Sequence, residues 1–386
     1  MIFDSESVFE ENVITVLKQH GWKDGVLRYP TERDLLDNWK DILYRNNNDI
    51  DRLGKYPLTD GEMTQIIEQI ETLRTPLALN SFVNGRTVSI TRDNKEDVAH
   101  FGKEVSLYIY DRKEIAGGKS TYQIAQQPVY PAKNKMLNSR RGDLVLLING
   151  MPLIHIELKK SGIPVSQATN QIEKYAHEGV FTGLFRLVQI FVAMNPDDAV
   201  YFANPGVDKF NPSYYFHWAD YNNEPICGGQ NPGKDEWKLF IGGTSGTAGL
   251  LSIPMAHQLI GFYTIADSAD GCLKVLRSYQ YIAANAISDV VRKCDWEQRP
   301  ATPGRPGGYV WHTTGSGKTM TSFKSAQLIA DSHDADKVVF LMDRIELGTQ
   351  SLKEYRSFAD SETEVQGTEN TGVLRDKLNS TNVNDT

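Results

Sequence analysis

Residues 143–160 read DLVLLINGMPLIHIELKK, and how this stretch folds back on itself decides the architecture. Two apolar runs, 143–148 and 152–159, flank the pair Asn149-Gly150, a strong signal for a tight hairpin turn. A plain two-residue turn pairs Ile148 with Met151. It then sets Asp143 opposite Ile156 and leaves Glu157 on the other face. A three-residue turn over 149–151 pairs Ile148 with Pro152 instead, and Asp143 comes to face Glu157. The apolar pattern favours this second register. One face becomes Leu144, Leu146, Ile148, Ile154, Ile156 and Leu158. The other carries Asp143, His155, Glu157 and Lys159 at one end, with Val145, Leu147, Met151 and Leu153 behind. The expectation is an odd-length turn or an equivalent bulge.

Two facing carboxylates with a lysine two residues beyond the second suit phosphodiester hydrolysis. Asp143 and Glu157 can hold Mg²⁺, a hard ion that prefers oxygen ligands. Lys159 can orient the attacking water or offset developing negative charge. Gln171 and Tyr175 follow at i, i+4 on the next expected helix and share a face, where they can bind DNA phosphate or brace the site. On the first helix, Glu10 can supply a further metal ligand or brace Lys159. His155 shares the catalytic face but is set back from its end.

Outward from the hairpin, residues 8–20 show helical spacing, with Phe9, Val13, Val16 and Leu17 on one face. Residues 30–77 read as mostly helical, and 86–130 as short strands (RTVSI, VSLYIY, TYQIAQQPVY). A helix is expected at 166–178 and a continuous apolar strand at 187–194. Residues 202–260, rich in Gly, Asn, Pro and aromatics, read as irregular. A helix is expected over 273–294 and a loop over 297–308. Then come strand 309–311, Gly-rich loop 312–317, helix 318–331 and strand 337–342, the alternation that starts a parallel α/β sheet. After about residue 360 the chain is polar and reads as frayed.

Residues 312–319 read HTTGSGKT, the Walker A spacing with His312 in place of the first glycine. In such a loop the backbone N–H groups of Thr314, Gly315, Ser316, Gly317 and Lys318 cradle the β-phosphate at a helix N-terminus. Lys318 reaches the β- and γ-phosphates of ATP, and the Thr319 hydroxyl ligates Mg²⁺. Upstream, Gln280 can pair with adenine N6 and N7.

The chain has 386 residues, 40% hydrophobic and 23% charged, the composition of a globular protein of two or three domains. The three cysteines, Cys227, Cys272 and Cys294, have no CxxC spacing. That excludes a zinc ribbon and argues for reduced thiols in a cytoplasmic protein. The acidic N-terminus lacks a signal-peptide pattern, and no apolar run approaches the length of a membrane span. A net charge of −8 argues against a free-standing DNA binder, since phosphate neutralisation supplies much of such affinity. It fits a subunit with local DNA contacts from Lys133, Lys135, Arg140, Arg141, Lys159 and Lys160.

RRGDLVLLINGMPLIHIELKK, QIEKY, RSYQ, GGYVWHTTGSGKTMTSFKSA and VVFLMDRIEL together resemble the motor (restriction) subunit of type I restriction–modification enzymes. The resemblance covers nearly the whole chain and is weakest over 30–85 and 205–260. It implies an α/β chain. A PD-(D/E)xK endonuclease domain, a mixed sheet flanked by helices, would occupy 1–260. The N-terminal part of the first RecA-like, parallel-sheet domain of a superfamily 2 motor would occupy 261–386. By motif match, Asp143, Glu157 and Lys159 are the nuclease residues and Gln171 and Tyr175 the QxxxY pair. Gln280 is the adenine-reading glutamine, and Lys318 and Thr319 the Walker A pair. The implied partners are double-stranded DNA and the methyltransferase and specificity subunits. The family's DEAD-like box and later helicase motifs should follow but do not, so the expectation is an N-terminal fragment that does not translocate DNA. One rival reading is a helicase-like translocase whose nuclease-like domain binds DNA without cutting. The other is a non-enzymatic assembly module, which leaves the Walker loop unexplained.

Overall fold

The computed structural model describes residues 2–115, 117–131, 140–293, 307–359, 365–368 and 370–381. Lys133, Lys135, Cys294 and most of the expected loop 297–308 lie outside these. The chain divides into two compact units. The first comprises Met1–Thr264 with Cys272–Val275, the second Ile265–Gly271 with Leu276–Thr386.

The first unit is built on a six-stranded mixed sheet, ordered β1-β4-β5-β6-β7-β8. The strands are β1 (Val26–Arg28), β4 (Tyr122–Gln126), β5 (Leu144–Ile148), β6 (Met151–Leu158), β7 (Ile190–Met194) and β8 (Ala199–Ala203). Pairing is parallel for β1/β4 and β6/β7 and antiparallel elsewhere. A separate antiparallel ribbon joins β2 (Thr87–Thr91) to β3 (Glu104–Tyr108). The four central strands β4 to β7 are buried along their whole length, a burial that the unbroken apolar run of β5, LVLLI, requires. The helices are α1 (Glu6–Gln19), α2 (Glu32–Asn46), α3 (Asp60–Thr72), α4 (Pro76–Asn84), α5 (Val165–His177), α6 (Trp237–Gly242) and α7 (Met255–Gly261). Capping fixes several starts. Ser5 accepts from Val8 N on α1, and Thr31 and Thr59 open α2 and α3 with reciprocal capping boxes, each cap contributing about 1 kcal/mol.

The hairpin turn differs from the first expectation and meets the second. Asn149 (φ 51°) and Gly150 (φ 83°) form a two-residue turn, and Ile148 pairs with Met151 and Leu147 with Pro152. The register then shifts between Leu146 and Leu147, and Leu146 pairs with Ile154, Val145 with His155 and Leu144 with Ile156. Leu153 is the extra residue of a β-bulge. Pro152 explains the place: it has no N–H to give a ladder and sits in sheets at bulges or edges. Pairing with β7 begins only at Ile154. Met151 therefore sides with Ile148, not with the face that carries Asp143 and Glu157.

Other expectations need correction. The expected strand 187–194 begins at Ile190, because Gly183–Leu187 forms a 3-10 turn. The stretch 202–260 contains α6 and α7, too short for sequence periodicity to reveal. Trp237 on α6 is fully buried, with its ring 5.2 Å from Phe9 and 6.1 Å from Phe3. The chain leaves the first unit along β9 (Thr264–Asp267) and returns to it for β10 (Cys272–Val275). The expected helix 273–294 thus starts at Ser278, because Cys272–Val275 alternates half-buried with buried residues at strand period.

The second unit holds α8 (Ser278–Lys293), α9 (Lys318–Ser332), α10 (Ile345–Phe358) and α11 (Thr371–Asn379). The expected strands 309–311 and 337–342 do not form. Both segments lack regular secondary structure, and among the described residues no strand pairs with them. Tyr309, Trp311 and Leu341 remain almost fully exposed. An apolar run becomes a parallel strand only when neighbours supply its ladder and cover its faces. The stretch read as frayed contains α11, capped by Asn370 through Val373 N at 3.0 Å. Lys337 Nζ donates to the carbonyls of Lys377 and Ser380 at its end.

Candidate functional site

The restored register brings Asp143, at the entrance of β5, to the level of Glu157 near the end of β6. Asp143 Oδ2 accepts from Leu158 N at 2.6 Å, tying the two strand ends together. Glu157 is fully buried. Its Oε2 lies 3.2 Å from His155 Nε2, while its Oε1 is buried without a hydrogen-bond partner. Lys159 Nζ stands 3.7 Å from that oxygen, 3.7 Å from Glu6 Oε1, and donates to Leu158 O at 2.8 Å.

Burial dominates the electrostatics. It pushes the Glu157 carboxyl up to about 8 against the pull of Lys159. It also raises Asp143 well above the usual carboxylate range, and the Glu157 charge adds to the rise. Burial lowers His155 to about 4, so its contact with Glu157 is a hydrogen bond and not an ion pair. An unpartnered buried carboxylate oxygen costs free energy, and a cation set between the two acids removes that cost. Among the described residues, no group of three or more His, Cys, Asp and Glu side chains converges as a metal cluster. The two carboxylates are hard oxygen donors, the kind of ligand that Mg²⁺ takes singly or in pairs while completing its shell from water and phosphate.

Glu10 is buried, and its carboxylate accepts from the Gln126 and Gln127 side-chain amides. Burial raises its pKa, and the nearby Asp143 charge adds to the rise. The residue beside Lys159 is Glu6, one turn earlier on α1, not Glu10. Gln171 Nε2 donates to Tyr175 OH at 2.8 Å, and that hydroxyl donates to Arg141 O at 2.9 Å. The pair thus braces the backbone just ahead of Asp143. A cleft of about 340 Å³ runs alongside, lined by Arg140, Gln167, Asn170, Gln171, Lys174 and Tyr175. Arg140 makes a two-point contact with Glu178 at 2.9 and 3.0 Å. Cys227 is buried and Cys272 half-buried.

Glu6, Gln126, Gln127 and Tyr130 escaped sequence reasoning. Glu6 stands four residues before Glu10 and so shares its helix face, the one signal that was there to find. Gln126 and Gln127 close β4, far from the acids in sequence.

In the second unit, residues 312–317 form a turn that feeds the start of α9. Gly315 (φ 77°) and Gly317 (φ 80°) occupy the left-handed region, where side chains are disfavoured. Lys318 Nζ donates to Thr313 O at 3.0 Å and His312 O at 3.4 Å. Thr314 is exposed, Ser316 Oγ donates to Thr313 O at 2.7 Å, and Thr319 lies half-buried in the first turn of α9. Gln280 is buried against this loop. Its Oε1 accepts from Arg277 N at 3.0 Å and its Nε2 donates to Gly317 O at 3.2 Å. Tyr279 OH donates to Ser316 O at 2.8 Å. The amide expected to read adenine is engaged in shaping the loop.

Residues 4–210 match the family described as type I restriction enzyme R protein N terminus, and residues 279–385 match SWI2/SNF2 ATPase. The chain is 31% identical over 386 residues to a type I restriction enzyme endonuclease subunit of Staphylococcus saprophyticus, covering 98% of this chain and 36% of that protein. A Staphylococcus aureus endonuclease subunit is 32% identical over 381 residues, with the same coverage. One from Escherichia coli is 29% identical over 217 residues, 55% of this chain and 62% of that protein. The chain thus spans about a third of the length of its staphylococcal relatives.

Proposed function

We propose, for a chain that belongs to the type I restriction enzyme R protein family, that its first unit is a PD-(D/E)xK endonuclease hydrolysing DNA phosphodiester bonds with Mg²⁺. Its second unit is the opening part of a RecA-like, ATP-driven superfamily 2 motor. The observation that carries the nuclease reading is the juxtaposition of Asp143 and Glu157, with Glu157 Oε1 buried, without a hydrogen bond and 3.7 Å from Lys159 Nζ.

Asp143 and Glu157 would hold the ion through carboxylate oxygens. When bound, Mg²⁺ supplies positive charge to the scissile phosphate and acidifies water in its shell. Lys159 stands where its ammonium can orient the attacking water or offset charge growing on the phosphate. The cleft beside Gln171 and Tyr175, with Arg140 and Lys174 on its wall, suits a DNA backbone. In the second unit, Lys318 would exchange the His312 and Thr313 carbonyls for the β- and γ-phosphates of ATP, with Thr319 on Mg²⁺. Gln280 holds the loop in shape, and adenine would have to draw its amide away from Gly317. Methyltransferase and specificity subunits would supply DNA recognition in a cytoplasmic complex. No described helix is long and apolar enough to cross a membrane.

Asp143→Ala and Lys159→Ala in the intact subunit are expected to abolish Mg²⁺-dependent cleavage while sparing ATP hydrolysis. Cleavage surviving either substitution overturns the nuclease assignment and leaves a domain that only binds DNA.

A further inference from the structure

Behind Glu157 lies a hydrogen-bonded chain that the proposed chemistry leaves unused. His155 is fully buried, and its ring uses both nitrogens. Nε2 meets Glu157 Oε2 at 3.2 Å, and Nδ1 meets Tyr130 OH at 2.8 Å. A Glu157 that holds a cation is ionised and can only accept, so in that state Nε2 carries the ring hydrogen and Tyr130 OH donates to Nδ1. The Tyr130 ring is held in turn by Phe185, Phe181 and Tyr175, at 4.6 to 6.1 Å between centroids. Gly142 leaves the space. A Cβ there would stand 2.4 Å from Tyr130 OH and 3.0 Å from His155 Cε1. The backbone just before Asp143 thus passes over the His–Tyr pair with no room for a side chain.

The two oxygens of Glu157 are therefore sorted: Oε2 is tied back to His155, while Oε1 makes no hydrogen bond and has only the Lys159 ammonium 3.7 Å away. A buried carboxylate free to rotate would present either oxygen, or neither, to an ion. We infer that His155 is a positioning residue, locked in one tautomer by Tyr130, that turns Glu157 so Oε1 meets the metal. The inference rests on the metal reading above. Groups that orient a ligand in this way typically change metal affinity ten- to a hundredfold, by roughly that general range.

The test is Mn²⁺ titration of the full chain by calorimetry, with melting followed in parallel. His155→Leu should weaken Mn²⁺ binding about tenfold or more. His155→Gln, whose carboxamide can still donate to Glu157 Oε2, should recover most of that loss, and Tyr130→Phe should lose an intermediate amount. The same ranking should hold for Mg²⁺-dependent cleavage by the intact subunit. A folded His155→Leu with wild-type affinity overturns the proposal, as does a Gln variant that binds no better than Leu. If His155→Leu does not fold, Tyr130→Phe decides, and unchanged affinity there overturns the proposal. A wild-type chain that binds no Mn²⁺ sinks the metal reading itself, which separates the two failures.

Discussion

A carboxyl sealed at the end of a strand must give up either its charge or its isolation. Glu157 faces that choice with Asp143 beside it, and without metal the pair retains a proton up to about pH 8. The sign follows from linkage. The folded-state pKa lies above the ordinary 4.5, so the native state holds the extra proton. Stability is full below 4.5 and declines as pH rises through about 8. His155, lowered to about 4, acts with the opposite sign below its ordinary 6.5, so the effect is cleanest above that pH. In EDTA, the melting temperature of the wild-type chain should fall between pH 6.5 and 9. Glu157→Gln should flatten that slope and gain on the order of 3 kcal/mol at the alkaline end. Added Mn²⁺ should restore the wild type, with proton release visible by calorimetry in buffers of different ionisation heat. A wild-type melting curve indifferent to pH above 6.5 would contradict this account.

At the scale of elements, the β5–β6 hairpin does the positioning, and its tolerance for change is small. Gly150 combines a φ of 83° with close contact: a Cβ would lie 2.9 Å from Trp39 Cα and Cδ1. Trp39 is fully buried on α2, so it has little freedom to retreat. Gly150→Ala should therefore cost about 2 kcal/mol in urea unfolding, and an unchanged midpoint would show that α2 gives way. The hairpin was legible because its evidence is local: apolar alternation, Asn-Gly, and acids at the right interval. Even the bulge had a marker in Pro152. The signal in HTTGSGKT is of the same local kind. By contrast, Glu6, Gln126 and Tyr130 meet Lys159, Glu10 and His155 from α1, β4 and the segment after it, so only tertiary structure assembles them. Gln280 shows the converse. Its motif was visible, but its engagement with Gly317 was not. The strands expected at 309–311 and 337–342 failed because a parallel strand depends on neighbours, which no local pattern can supply.

For the molecule as a whole, the proposed nuclease residues Asp143, Glu157 and Lys159 lie within the first unit and the proposed ATP-binding loop 312–319 within the second. Lys318→Ala should therefore abolish ATP hydrolysis, and with it cleavage by the intact enzyme. Mn²⁺ affinity at Asp143 and Glu157 should stay within about twofold of wild type, well under the tenfold that 1.4 kcal/mol represents. A larger change would mean that the sites are energetically linked. The division into units also has a practical side. The chain crosses between them more than once, leaving at Thr264 and coming back for Cys272–Val275, which packs on α4 and β8. The first unit is thus not a contiguous stretch. A truncation at Thr264 would strip a strand from the first unit and uncover the parts of α4 and β8 that it packs on. Severing the chain between Val275 and Leu276 keeps that strand, which makes this the natural place to dissect the protein.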